Sequence, residues 1–228
     1  MKLVLLALLL LPAAAGAQSP LTSKRLNDTI PYIMDHHARR LAHFAREPVV
    51  TGRVVFLGNS ITEGGDWRTL LGDSTVVNRG IGGDITFGVL KRLDEVIRRK
   101  PAKLFLLIGI NDIAKDIPDV VIADNVRKIV QEVQARSPGT ALYVQSVLPV
   151  NPEVPGFPQH YDKQEHVTNV NRLLRLVAES TRARFLDLVP VFVDERGRLD
   201  ARYTGDGLHL NEAGYRQWAE FLRKSGVL

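Results

Sequence analysis

The sequence predicts an α/β protein, a three-layer α/β/α arrangement with a five-stranded parallel sheet. Three observations lead there. Short, mostly apolar runs recur along the chain, as strands buried on both faces should. Longer segments between them carry apolar residues three and four apart, the mark of one buried helical face. The two patterns alternate, and right-handed crossovers are the geometry that joins strands so separated into a single parallel sheet.

The chain opens MKLVLLALLLLPAAAGAQSP. Lys2, the apolar run Leu3 to Leu11 and the small residues Ala15-Gly16-Ala17 read as the three regions of a secretory signal peptide over residues 1–17, with cleavage before Gln18. The run is too short to span a bilayer, which argues against an uncleaved anchor. Residues 18–228 are expected to form a single domain with an N-terminal helical extension (about 24–47), its helix lying around Ile30 to Arg46. The strand candidates are RVVFLG (53–58), STVVNR (74–79), KLFLLIG (103–109), ALYVQSV (141–147) and ARFLDL (183–188). Helical stripes come from Leu90, Leu93 and Ile97, then Val126, Ile129, Val130 and Val133, then Val167, Val170, Leu174 and Val177. Asn211 is placed to cap a last helix and Gly226 to end it. In LPVNPEVPGFPQHY the prolines at 149, 152, 155 and 158 fall every third residue, which on a PPII helix would align them along one edge; the segment is a stiff wall beside a pocket or a plain surface loop, with a docking ligand for a proline-binding partner a distant third.

Composition narrows the function. The 228 residues contain no cysteine, so neither disulfides nor thiolate chemistry is available. The formal charge of +5 becomes +4 once Lys2 leaves, and the basic residues are scattered or sit on helix faces such as KRLDEVIRRK, a solvated surface that argues against nucleic-acid binding. RGIGGD fails the G-x-G-x-x-G spacing because position 85 is Ile, so no dinucleotide site is expected. No H-E-x-x-H or similar spacing appears; no metal and no cofactor are expected. His36, His37 and His43 lack an obvious carboxylate framework and are read as solvated or partly packed, whereas His160 and His166 sit in or near the proline segment, where substrate contact is the minor alternative to an ordinary structural role. Trp67, Phe87, Phe157, Tyr161 and Tyr203 are candidates for a pocket wall, although most aromatics are core. No substrate-binding residue is assigned.

Ligands of open α/β sheets bind outside the carboxyl ends of the strands. The residues just beyond each strand candidate are therefore informative: Gly58-Asn59-Ser60, then RGIGGD (79–84), then Gly109-Ile110-Asn111-Asp112, and beyond the fifth, Asp206-Gly207-Leu208-His209. Acyl transfer needs these residue types. A serine hydroxyl is a weak nucleophile until an imidazole takes its proton, and the imidazole needs a carboxylate to hold its tautomer. Asp206 and His209, three apart, meet across one turn or tight loop. The N–H groups of Ser60 and Gly83 and the side-chain amide of Asn111 are donors for an oxyanion, and Gly83, without Cβ, lets that oxygen approach the main chain. Structural alternatives stand beside each assignment: Ser60 with Glu63 fits an S-x-x-E capping box, the glycines fit a tight turn, and Asn111 or Asp112 could cap a helix.

Taken together, GNSIT, RGIGGD, GIND and DGLH resemble the four blocks of the SGNH hydrolases, also called the GDSL esterase and lipase family. The likeness runs from about Val54 to Trp218 and is strongest to the branch resembling platelet-activating factor acetylhydrolase and bacterial carbohydrate acetylesterases. It implies a flavodoxin-like SGNH hydrolase fold, with Ser60 as nucleophile, Asp206 and His209 completing a triad, and Ser60, Gly83 and Asn111 as the oxyanion hole. One departure is Asn59, where the family's name-giving motif has aspartate; the amide retains hydrogen-bonding capacity but not charge. The expected activity is that of a secreted or periplasmic serine esterase removing short acyl groups, acetyl above all, from a small-molecule or glycan ester. Its rivals are a lysophospholipase or thioesterase acting on longer chains, and a non-catalytic carbohydrate-binding module.

Overall fold

The computed structural model describes residues 31–228. The signal-peptide expectation (1–17) and the start of the expected extension near residue 24 lie outside the described residues. Helix α1 (Pro31–Arg46) comes first. Strands β1 (Val54–Gly58), β2 (Val77–Gly80), β3 (Lys103–Leu107), β4 (Ala141–Gln145) and β5 (Arg184–Leu186) then form one sheet in the order β2-β1-β3-β4-β5, every pairing parallel. Short helices α2 (Ser60–Glu63) and α3 (Trp67–Leu71) come after β1; α4 (Thr86–Lys91) and α5 (Leu93–Ile97) come after β2. Next are α6 (Ile110–Ala114) and α7 (Asp119–Arg136) after β3, α8 (Gln164–Glu179) after β4, and α9 (Val189–Phe192) and α10 (Glu212–Lys224) after β5. Helices cover both faces of the sheet.

The sheet is held by side chains that the register brings into line. Phe56 pairs with Phe105 and Phe105 with Tyr143, so all three project from the same face. Their rings stack across the sheet, Phe56 to Phe105 at 4.9 Å and Phe105 to Tyr143 at 4.7 Å, with Trp67 of α3 stacked on Phe56 at 3.8 Å. Trp218 of α10 meets Trp67 edge-on at 4.7 Å and is itself fully buried. Truncating Phe56 to Ala would cost about 3–5 kcal/mol, since the rings around the void cannot all collapse into it. The α7 and α8 stripes named from the sequence are buried at every position. Asn211 does cap α10, accepting the Gly214 N–H at 3.0 Å, and Gly226 lies just past that helix with φ +64.

Several boundaries differ from the sequence reading, each for a local reason. β2 starts at Val77 rather than residue 74, because the Asp73 carboxylate takes both the N–H and hydroxyl of Thr75 and holds 73–76 in a turn. The stripe through Leu90, Leu93 and Ile97 is not one helix: the chain breaks at Arg92, whose guanidinium turns inward to Asp84 (2.8 Å) and the Gly58 carbonyl (3.0 Å), and Leu90 is only partly buried while Val89 and Val96 are fully so. β3 ends at Leu107 and β5 spans three residues. The proline segment is not a PPII helix. Asn151 bends it through a turn, its side chain accepting the Glu153 N–H and its carbonyl the Val154 N–H, and a 3-10 turn at Pro158–His160 closes it.

The order 2-1-3-4-5 reverses direction at β1, so connections leaving β1 and β3 diverge and open a crevice at their carboxyl ends. Gly58 is level with Gly80 on one side and Leu107 on the other, which brings the residues after all three strands to the same edge.

Candidate active site

Ser60 is the first residue of α2, directly beyond β1. It does not cap that helix. Asn59, fully buried, is the N-cap, its Oδ1 accepting the Ile61 N–H at 3.0 Å, and this leaves the Ser60 hydroxyl available. The amide at position 59 thus does a cap's work without a charge. Glu63 does not reach back to complete a capping box. Its Oε2 instead accepts the Gly82 N–H at 2.5 Å. From the far end of the chain, the buried Tyr215 hydroxyl donates to the Ile61 carbonyl at 2.9 Å and ties α2 to α10; burial raises that phenol's pKa.

The loop after β2 carries Gly83 at φ +75, a left-handed conformation that costs glycine nothing and any L side chain strain. Three contacts hold it. Asp84 forms a buried ion pair with Arg92, the Gly82 N–H is bound to Glu63, and the Asp84 carbonyl accepts from Asn111 Nδ2 at 2.9 Å. The last bond sets the Asn111 amide beside Gly83. No acceptor among the described residues takes the N–H of Ser60 or of Gly83. Neither Asn111 nor Asp112 caps α6, whose N-cap is Gly109. Asp112 turns into the interior, where the Thr86 hydroxyl donates to it at 2.6 Å; burial dominates and pushes its carboxyl up to about 7.

The DGLH segment is a tight loop, closed by the pairing of Thr204 with Leu210. Asp206 Oδ1 accepts the N–H groups of Leu208 (3.0 Å) and His209 (2.7 Å), and Oδ2 lies 2.7 Å from His209 Nδ1. Burial works to raise the Asp206 carboxyl, but the bonds from the His209 ring and from these two amides outweigh it and hold the group below the usual carboxylate range. His209 Nε2 lies 2.9 Å from Ser60 Oγ. Residues 149 apart in sequence are therefore joined in one row, Ser60 to His209 to Asp206. Both ring and carboxylate are about one-third exposed, so the row opens to solvent.

Other candidates separate clearly. Phe157, from the proline segment, sets its ring edge-on to His209 at 4.9 Å, which favours the wall over the plain surface loop among the readings the sequence left open for that segment. Trp67 is core; Tyr203 packs on Phe192, Phe87 lies against the core, and the Tyr161 hydroxyl accepts the Gly156 N–H. His166 is a surface residue beside Asp119, whereas His160 is buried with Nε2 at 3.2 Å from Asn111 Oδ1. The α1 histidines do have carboxylate partners, contrary to the reading from sequence: His36 with Glu63 at 2.9 Å, His37 with Asp84 at 3.5 Å, His43 with Glu47 at 3.2 Å. Arg40 joins them, bound to Glu63 and to the Gly80 carbonyl. Helix α1 thus braces the Gly83 loop, a role whose only trace in sequence is the spacing of His36, His37 and Arg40 on one helix. Among the described residues no group of three or more His, Cys, Asp or Glu side chains could hold a metal ion, and no helix is long and apolar enough to cross a membrane.

A parallel sheet of order 2-1-3-4-5 whose strand ends join serine, histidine and aspartate beside N–H donors unpaired among the described residues defines an ester-hydrolase type of α/β protein. Residues 56–217 match the GDSL-like Lipase/Acylhydrolase family, and the chain belongs to that family of ester hydrolases. The platelet-activating factor acetylhydrolase IB subunit alpha1 of Bos taurus is 33% identical over 170 residues, covering 71% of this chain and 69% of that protein. A Streptococcus pneumonia structure named for platelet activating factor is 30% identical, with a TM-score of 0.76 over 85% of this chain and 94% of the other. An acetyl-xylooligosaccharide esterase from Geobacillus Stearmophilus shares the fold at 22% identity, with a TM-score of 0.62 over 78% of this chain and 97% of that one.

Proposed function

We propose that the protein is a serine esterase that hydrolyses acetyl and other short acyl oxygen esters through a covalent acyl-enzyme. The observation that carries this is the hydrogen-bonded row in which Ser60 Oγ lies 2.9 Å from His209 Nε2 and His209 Nδ1 lies 2.7 Å from Asp206. Asp206, bound by three N–H groups, stays ionised and keeps the ring proton on Nδ1, which leaves the Nε2 lone pair facing the serine. Ser60 Oγ attacks the ester carbonyl as its proton passes to His209. The imidazolium is stabilised by Asp206 and returns the proton to the departing alkoxide oxygen. The oxyanion is met by the N–H groups of Ser60 and Gly83 and by Asn111 Nδ2, donors held in place before substrate arrives. Water then attacks the acyl-serine, His209 again taking the proton, and Ser60 is released.

Acetyl is the acyl group named both for the 33%-identical acetylhydrolase and for the acetyl-xylooligosaccharide esterase, while the two names differ in what carries it. A carbohydrate alcohol is our reading, supported by the expected export of the chain to the periplasm or beyond. A phospholipid alcohol is the second reading, favoured by the higher identity to the platelet-activating factor enzymes. Acetate release from acetylated glycans and from acetyl phospholipids, with Ser60→Ala as control, tests all of it. Wild-type turnover with glycans and a folded, inactive Ser60→Ala variant are expected. Preference for acetyl phospholipids replaces the alcohol, preference for octanoyl over acetyl p-nitrophenyl esters replaces the acyl group, and undiminished turnover by Ser60→Ala ends the mechanism.

A further inference from the structure

Asn111 serves an oxyanion only if it presents the correct end. A primary amide has an N–H side and a C=O side of nearly equal size; turned over, its oxygen would repel the charge it is meant to stabilise. Two partners fix it here. Nδ2 donates to the Asp84 carbonyl at 2.9 Å, and a carbonyl only accepts, so that contact places nitrogen on the Asp84 side. Oδ1 then faces His160 Nε2 at 3.2 Å. Because Oδ1 is an acceptor, Nε2 must be the ring nitrogen that carries hydrogen. His160 Nδ1 is buried and makes no hydrogen bond among the described residues. Burial, and then the neighbouring His209, bring the His160 pKa down to about 4 against a smaller opposing pull from the Phe157 carbonyl, so the ring is neutral at neutral pH. Neutrality suits the place: a permanent cation there would oppose the charge that His209 gains when it takes the Ser60 proton.

We infer that His160 is a positioning residue for the oxyanion hole: its Nε2–H holds Asn111 Oδ1, so that the second Nδ2 hydrogen is aimed at the oxygen of the reacting carbonyl. A donor on the amide oxygen also draws electron density from the nitrogen and strengthens the remaining N–H as a donor. The proline segment therefore does more than wall the site with Phe157. Its terminal 3-10 turn, Pro158–His160, delivers the imidazole, and the Phe157 carbonyl accepts the His160 backbone N–H at 2.9 Å to hold that turn. The inference rests on the serine-esterase reading of the same site.

The test is a double-mutant cycle with p-nitrophenyl acetate as substrate. Asn111→Ala is expected to lower kcat about 10²–10³-fold. His160→Leu is expected to lower kcat about 10–100-fold with KM within about threefold, since the oxyanion exists only after attack. In the Asn111→Ala background His160→Leu should cost less than about twofold, because the group it positions is gone. His160→Gln, whose amide can also donate to Oδ1, should recover most of the loss. Independently of turnover, ¹⁵N NMR of the wild type at pH 7 should show His160 as the neutral Nε2–H tautomer, and the Asn111 side-chain amide signal should move in His160→Leu. Equal losses in both backgrounds, or a His160 proton on Nδ1, would overturn the inference while leaving the esterase reading intact. Ser60-independent turnover would remove both.

Discussion

Asp206→Asn inverts the proton arrangement of the row without removing an atom from it. Asp206 Oδ1 accepts two backbone N–H groups, from Leu208 at 3.0 Å and His209 at 2.7 Å. Both are donors, so in the variant the amide oxygen must occupy that position and the amide nitrogen must take the place of Oδ2. There it faces His209 Nδ1 at the present 2.7 Å separation and donates to it. The ring proton is driven to Nε2, which now points a hydrogen rather than a lone pair at Ser60 Oγ. The base is lost although the geometry is kept. The same exchange in serine proteases lowers kcat about 10⁴-fold, equivalent to about 5 kcal/mol of barrier, and a loss of that order is expected here. Because the two backbone bonds survive, the melting midpoint should stay within about 4 °C of wild type, roughly 1 kcal/mol for a chain of this size. Steady-state hydrolysis of p-nitrophenyl acetate at pH 8, with thermal melts of both proteins, measures both numbers. A folded Asp206→Asn enzyme within tenfold of the wild-type kcat would refute the tautomer argument and with it the role of Asp206.

The supports of the site carry two further expected outcomes. Asp112 retains its proton in the folded protein up to about 7, whereas an unfolded aspartate loses it near 3.8; the stability it contributes is therefore full below about pH 4 and is lost as pH rises towards 7. Asp112→Asn, neutral throughout, should gain on the wild type by a few kcal/mol across that window in pH-stepped denaturant melts, and a constant gap would show that the carboxyl ionises normally. Glu63→Ala removes the acceptor of the Gly82 N–H and the partner of Arg40. It should cost about 1–3 kcal/mol of stability and lower kcat more than it raises KM, because Gly83 is the next residue. An effect confined to the melting midpoint would mean that the loop holds its shape without the Glu63 carboxylate.

The fold was largely legible because its signals are local. Buried parallel strands read as apolar runs whether or not their partners are known, and the α7 and α8 stripes come from helical spacing alone. What escaped were the places where one side chain overrides the local pattern: Asp73 delaying β2, and Arg92 breaking a helix to reach Asp84. The proline spacing left the conformation of its segment open for a related reason. A periodicity of three permits PPII, but the Asn151 side chain and carbonyl both bind amides just ahead and impose a turn.

At the site, the residue types and their order after each strand named Ser60, Gly83, Asn111, Asp206 and His209 from sequence alone, because the parallel sheet sends every such segment to one edge. Which of them touch, and what holds them, was decided only in three dimensions. The 2.9 Å contact from Ser60 to His209 spans 149 residues, and no local pattern encodes so long a closure. Nor does any motif connect His160 to Asn111, or Arg40 and His36 to the carboxylate that carries the Gly82 N–H. Chemistry-bearing residues leave a trace in sequence because their side chains are irreplaceable. Their supports leave little, since many side chains can donate a hydrogen bond and only packing determines which one is in reach.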